Sequence, residues 1–399
     1  MCKSPVRILC ALICAVLLFS CSRQEADHLP NRRVVLFYAA AFSNLSSSIS
    51  ADIDEFCAGG LPYVGNSDVF LVYSHMPARY GKYDPTHPVL FRAYKGPDGS
   101  VCRDTLIVYP DTDVSSSAEV MRKVLTDVKD NFPASSYGMI FSSHAKGWIP
   151  PGYEEKSNSI WSVGAPRKEY PLTRELGTEN VDGSGIDIID LPDAIPMHLD
   201  FFIMDACLMG CVEVAYEIKD KCDILLFSPT EILASGMPYT TMPPKLLNTV
   251  EPDILGIARE FYEMYDAQSG LLRSATVTVV DCRKLDPLAD CFRDIVSVHR
   301  DEFDNAPRSQ VQPYFYNEYH WFFDLRDRLV EAGATQEELQ RLDKALDDCV
   351  TYKAATDKFF DLKLETVCGL SVYFPIPDNT ELNNYYKTLA WNQTTGLIR

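Results

Sequence analysis

The sequence predicts an α/β fold built on a mostly parallel sheet flanked by helices, with a helix-rich C-terminal part. Three observations carry this. Continuous apolar runs recur at VVLFYAAAF (residues 34–42), DVFLVYSH (68–75), YGMIFSSH (137–144), LDFFIMDA (199–206) and CDILLFSP (222–229), and strands buried on both faces read this way. Segments of helical spacing separate several of these runs, and strand-helix-strand order marks parallel pairing through right-handed crossovers. From Asp253 onward helical patterns dominate, interrupted by SATVTVVD (274–281) and CGLSVYFP (368–375).

The chain opens with Lys3, Arg7 and an apolar run over 8–19. That run is too short to span a bilayer but suits a secretory signal, so residues 1–20 read as a signal peptide. Leu18-Phe19-Ser20-Cys21 resembles a bacterial lipobox, which makes Cys21 the lipidated first residue of the mature chain; a plain secreted protein is the alternative. The polar stretch 21–31 is then a tether on the anchor. The expected place is extracytoplasmic, on the periplasmic face or the surface of a bacterial membrane.

After the first strand, SNLSSSISADIDEFCAG supplies capping residues and a helix closed by Gly59-Gly60. Two extended runs around Gly96-Pro97-Asp98-Gly99 read as a hairpin, and SSSAEVMRKVLTDVKDNFP as a capped helix ended by Pro133. Residues 145–185 turn to Gly, Pro, Ser and charge without period, and a loop of that length inside a domain is functional or mobile. DIIDLPDAIP and CVEVAYEIKD read as helices on either side of the 199–206 strand, with EILASGMPYTTMPP as a second mixed loop. The organisation expected is a body over 32–285 and a helix-rich region over 286–399, whose late strand is a candidate to rejoin the body.

The formal net charge of −19 argues against binding a phosphate backbone and is compatible with cationic substrates. The thirteen cysteines include no C-x-x-C pair and no Cys/His cluster at zinc spacing, so most read as buried thiols. No G-x-S-x-G elbow, H-E-x-x-H, G-x-G-x-x-G or EF-hand loop is present. No cofactor is expected and no metal-ligand set is read from the sequence, which leaves a dependence on calcium open.

In a parallel sheet the C-terminal strand ends share one edge, where ligands bind. His144 and Cys207 both close predicted strands, one crossover apart, which would set imidazole and thiol side by side. A histidine there draws off the thiol proton, and the helix start after Cys207 favours the thiolate. Each residue also has a structural reading, as a hydrogen-bonded strand end and a core thiol.

SSHAKGW and MDACLMGCVEVAYEI resemble the His and Cys blocks of the clostripain-like cysteine peptidases, a family of caspase-like fold that writes them as HGxGW and DACLM before an E-x-A-Y helix. VVLFYAAAFSNL, SPTEILASGMPY and CGLSVYFP resemble its opening strand, its Ser-containing strand with a Gly-x-Pro-Tyr loop, and its late GLSxYFP strand. The resemblance implies an endopeptidase in which Cys207 attacks the scissile carbonyl and His144 protonates the leaving amine. It also implies that the backbone N–H groups of Ala145 and Cys207 hold the oxyanion. By the same resemblance Asp205 favours Arg or Lys at P1 in peptide or protein substrates; a helix-capping carboxylate is its other reading. Glu231 either adds a second acid to that pocket or faces solvent. Self-cleavage in the loop between the His and Cys strands would fall at Lys156, Arg167, Lys168 or Arg174.

Two departures stand out. Ala145 occupies the place of the family's glycine, which costs about 1 kcal/mol if the backbone there needs positive φ. The Asp-Asn pair that the family has before Leu45 is absent, since Phe42-Ser43 precedes Asn44. Ala145 feeds a second reading, a catalytically silent caspase-like surface lipoprotein that binds peptide or protein partners.

Overall fold

The five apolar runs become five parallel strands, β1 (Asn31–Ala40), β2 (Asp68–His75), β5 (Ala134–Ser143), β6 (Leu199–Asp205) and β7 (Cys222–Phe227). The computed structural model describes residues 31–40, 45–75, 87–153, 170–173, 185–315 and 321–399. The signal segment, Cys21, residues 42–44, Lys156, Arg167, Lys168 and Arg174 lie outside the described residues.

The hairpin β3 (Val89–Lys95) and β4 (Val101–Val108) extends the sheet antiparallel from β2. On the far side β8 (Thr276–Asp281) and β10 (Val350–Ala355) add two more antiparallel strands, giving the order β10-β8-β7-β6-β5-β1-β2-β3-β4. Residues 350–355, expected within a helical stretch, are therefore an edge strand. Their partly exposed, alternating pattern is that of a half-buried strand, and it is too short to outweigh the long helical period before it. The late strand β13 (Ser371–Tyr373) pairs with β9 (Phe322–Asp324) in a separate ribbon and meets the body through a parallel bridge from Ser371 to Cys211. A second small ribbon joins β11 (Lys358–Phe359) and β12 (Leu362–Lys363).

Helices cover both faces, which is why the central strands are apolar throughout. Val35, Phe37 and Ala39 of β1 face α1 (Ser46–Ala58), α5 (Pro243–Leu246) and α6 (Ile254–Asp266). The alternate residues Val34, Leu36 and Tyr38 join a larger core. That core takes in α2 (Ala118–Asn131), the short α3 (Leu191–Ala194) and α4 (Val212–Glu217), and then α7 (Leu285–Val298) and α8 (Arg300–Asn305). It is completed by α9 (Leu325–Glu331), α10 (Gln336–Cys349), α11 (Thr380–Tyr386) and α12 (Ala390–Thr395). Both α3 and α4 are shorter than their sequence patterns suggested, and Pro192 at the start of α3 and Pro196 beyond its end confine it.

One carboxyl in this packing has an unusual environment. Glu213 of α4 is fully buried; its Oε1 accepts the Tyr373 N–H at 2.8 Å and the Tyr386 hydroxyl at 2.6 Å. Among the described residues its Oε2 has no hydrogen-bond partner. Burial pushes the acid up from 4.5 to about 7, against the lowering effect of those donors. The native state thus holds this proton at pH values where the unfolded chain releases it. Its stability is unpenalised below pH 4.5, falls as pH rises from there to about 7, and above that carries a penalty of about 3 kcal/mol. Glu213→Gln keeps the acceptor and removes the titration. Melting temperatures of wild type and Glu213→Gln should diverge between pH 5 and 8, the wild type losing more; parallel curves would contradict this assignment.

Candidate active site

The sheet places the two predicted chemical groups on neighbouring strands. In the parallel pairing of β5 with β6, Ser142 lies opposite Asp205; His144 and Cys207 each follow two residues later. Adjacent strands run about 4.8 Å apart, so the two residues leave the sheet at one height. Gly138 fixes this pairing: it faces Phe201 in register, and a Cβ on it would lie 2.0 Å from the Phe201 ring.

Cys207 is fully buried, and its Sγ receives the Ile232 N–H at 3.2 Å. His144 is half-buried. The turn after Cys207 is strained, for Leu208 adopts φ +61°, a region that costs an L-residue about 1–2 kcal/mol. It is tied down by Leu208 N–H to Thr230 O at 3.0 Å, Gly210 N–H to Ser228 O at 2.8 Å, and Ser371 N–H to Gly210 O at 3.0 Å. The late strand β13 thus braces the cysteine turn from behind.

The loop after His144 presses against the same turn. Gly147 has φ +59°, and a Cβ there would come within 2.6 Å of both Leu208 O and the Phe322 ring. The glycine this loop requires is therefore 147. Ala145 is not among the described non-glycine residues with positive φ, so alanine there carries no backbone strain. Trp148 anchors the loop, fully buried, with ring centroids 4.6 Å from Tyr373 and 4.9 Å from Tyr386.

Two carboxylates lie near the turn. Asp205 is wholly buried, and its Oδ2 receives the Ser142 hydroxyl at 3.2 Å and the Tyr239 hydroxyl. Glu231 is 1% exposed and accepts the Thr173 hydroxyl at 2.9 Å, which rules out its solvent-facing reading. Tyr239 and Ser142 were not singled out from sequence. Tyr239 belongs to the Gly-x-Pro-Tyr loop, but nothing in that motif says which carboxylate its hydroxyl meets. Among the described residues no group of three or more His, Cys, Asp or Glu could hold a metal ion, and no helix is long and apolar enough to cross a membrane.

The sequence matches the model of the clostripain family over residues 37–395. It is 26% identical to clostripain of Hathewaya histolytica over 235 residues, 52% of this chain and 41% of that protein; the match thus spans under half the length of that relative. Among solved structures, an inactive zymogen C11 protease from Parabacteroides distasonis has a TM-score of 0.75 at 29% identity, covering 91% of this chain and 97% of its own. A secreted C11 cysteine protease from Bacteroides thetaiotaomicron gives 0.75 at 25% identity, covering 92% and 99%. The caspase-like sheet, the Cys and His loops at its edge and a family match over most of the chain agree: the chain belongs to the clostripain family of cysteine peptidases.

Proposed function

We propose that this peptidase is an extracytoplasmic endopeptidase that cuts after Arg or Lys, with Cys207 as nucleophile and His144 as its proton partner. The observation that carries this reading is the register of β5 on β6, which brings His144 and Cys207 off the sheet together. The Cys207 proton passes to His144, and the thiolate adds to the scissile carbonyl carbon. The N–H groups of Cys207 and Ala145 receive the oxyanion, a donor of this kind contributing about 3 kcal/mol. Collapse breaks the C–N bond, His144 returns its proton to the leaving amine, and a thioester remains. Water, deprotonated by His144, then hydrolyses the thioester and restores the thiol.

Asp205 sets the preference at P1. Its carboxylate is oriented by Ser142 and Tyr239, and a guanidinium pairs with an oriented carboxylate in bidentate fashion. Glu231 adds a second buried acid beside the same turn. The secreted relative supports a site of action outside the cytoplasm, with residues 1–20 as the signal, Cys21 as the lipidated anchor and 21–31 as the tether. The peptidase body is 32–285, carrying the C-terminal region 286–399.

The first test is hydrolysis of fluorogenic peptides under reducing conditions, before and after a trace trypsin nick. Cys207→Ala and His144→Ala should each lower kcat/KM by at least about 10³-fold. Asp205→Ala should lose about 100-fold on Arg and Lys substrates relative to norleucine at P1. A nicked wild type that cleaves nothing, and whose Cys207 is not labelled by an Arg-directed acyloxymethyl ketone, would falsify the peptidase reading and leave the peptide-binding lipoprotein. Self-cleavage at Lys156, Arg167, Lys168 or Arg174 is read from intact mass. Purified wild type should yield fragments ending at one of these residues and Cys207→Ala a single chain; identical single-chain masses sink it.

A further inference from the structure

Two buried thiols meet where β7 begins and β8 ends. In the antiparallel pairing of these strands Ile224 lies opposite Asp281. One further step along that ladder sets Asp223 opposite Cys282, and Cys222 is the next residue. Strands about 4.8 Å apart with a rise of about 3.4 Å per residue then hold the α-carbons of Cys222 and Cys282 about 6 Å apart. Disulfides are commonest at that separation.

Side-chain direction agrees with the spacing. In a regular strand Cys222 would share a face with Ile224 and Leu226, which pack in the core beneath α1, α5 and α6. Cys222 is the first residue of β7, and it joins instead the larger core with Leu225 and Phe227. Cys282 enters the same core beside Val280 as the chain turns into the 3₁₀ segment Cys282–Lys284. Both are free thiols within hydrogen-bonding reach of each other. The residues beside them also bridge the strands, with Arg283 Nη1 3.7 Å from Asp223 Oδ2.

Cys222 is fully buried and Cys282 is 2% exposed. Burial first, and the neighbouring thiol second, holds the Cys222 thiol well above its ordinary range. A buried, protonated thiol is inert, so the folded protein keeps whichever redox state it folded in.

We propose that Cys222 and Cys282 are a covalent modification site: they close to a disulfide when the chain folds in the presence of a disulfide oxidant, and the bond staples β7 to β8. Two S–H bonds break and one S–S bond forms. The two electrons and two protons pass to the oxidant's disulfide, which becomes a dithiol. Cys207 does not compete for this bond. Because β7 runs parallel to β6 with Cys222 opposite Leu199, the pair sits at the other edge of the sheet, about 20 Å away along the strands. The staple holds the strand that leads into Ser228, Thr230 and Ile232, the residues that meet the cysteine turn. In nature the oxidant depends on the extracytoplasmic reading; the test supplies it directly.

The full-length chain is produced twice in bacteria, once exported to the oxidising periplasm and once in the reducing cytoplasm. Each preparation is denatured in iodoacetamide without reductant and digested for mass mapping. The exported chain should yield one cross-linked peptide pair carrying Cys222 and Cys282, lighter by two hydrogens than the separate peptides, and the cytoplasmic chain should carry both residues alkylated. The exported form should melt about 5 °C higher, a gap that should vanish in Cys282→Ala. Mapping needs no variant, so it stands even if Cys282→Ala fails to fold. Alkylated Cys222 and Cys282 in the exported chain, or either joined to another cysteine, overturns the pair; equal melting temperatures overturn the staple. If the exported chain is cross-linked while protein taken from its own cells has both residues alkylated, the site stands and the extracytoplasmic location fails.

Discussion

The candidate site depends first on the pairing of β5 with β6. Side chains alternate across a sheet, so a slip of one residue would exchange the faces of every residue on β6 and carry Cys207 away from His144. The slip is blocked sterically. Phe201 lies over Gly138, where even a methyl group would sit 2.0 Å from the ring, and every other residue of β5 carries at least that methyl. One glycine facing one phenylalanine thus fixes the height at which both chemical groups leave the sheet.

The next constraint is the strained turn after Cys207. A left-handed Leu208 persists because its neighbours over-determine it. The β7 loop accepts two of its N–H groups and β13 donates to its Gly210 carbonyl; each such bond contributes about 1 kcal/mol net, enough together to exceed the strain. Trp148 links the histidine loop to the same support, packing on Tyr373 of β13 and Tyr386 of α11. Glu213 ties those two tyrosines to the helix that follows the turn. Residues late in the chain are therefore the rear wall of the cysteine and histidine loops.

Much of this was legible in the sequence, for identifiable reasons. The parallel strands announce themselves because both faces are buried, which leaves long apolar runs that few other structures produce. The positions of His144 and Cys207 follow from those runs, since each residue closes one. What escaped were short elements whose partners are distant. The β10 strand is six residues of mixed polarity at an edge, and β9 has only three residues. Neither offers a period long enough to distinguish it from the helices nearby. The need for glycine at 147 was invisible for another reason: it arises from the Leu208 carbonyl, which approaches from a turn some sixty residues away. Tyr239 on Asp205 and Thr173 on Glu231 are likewise side-chain meetings across loops, and no local pattern encodes them.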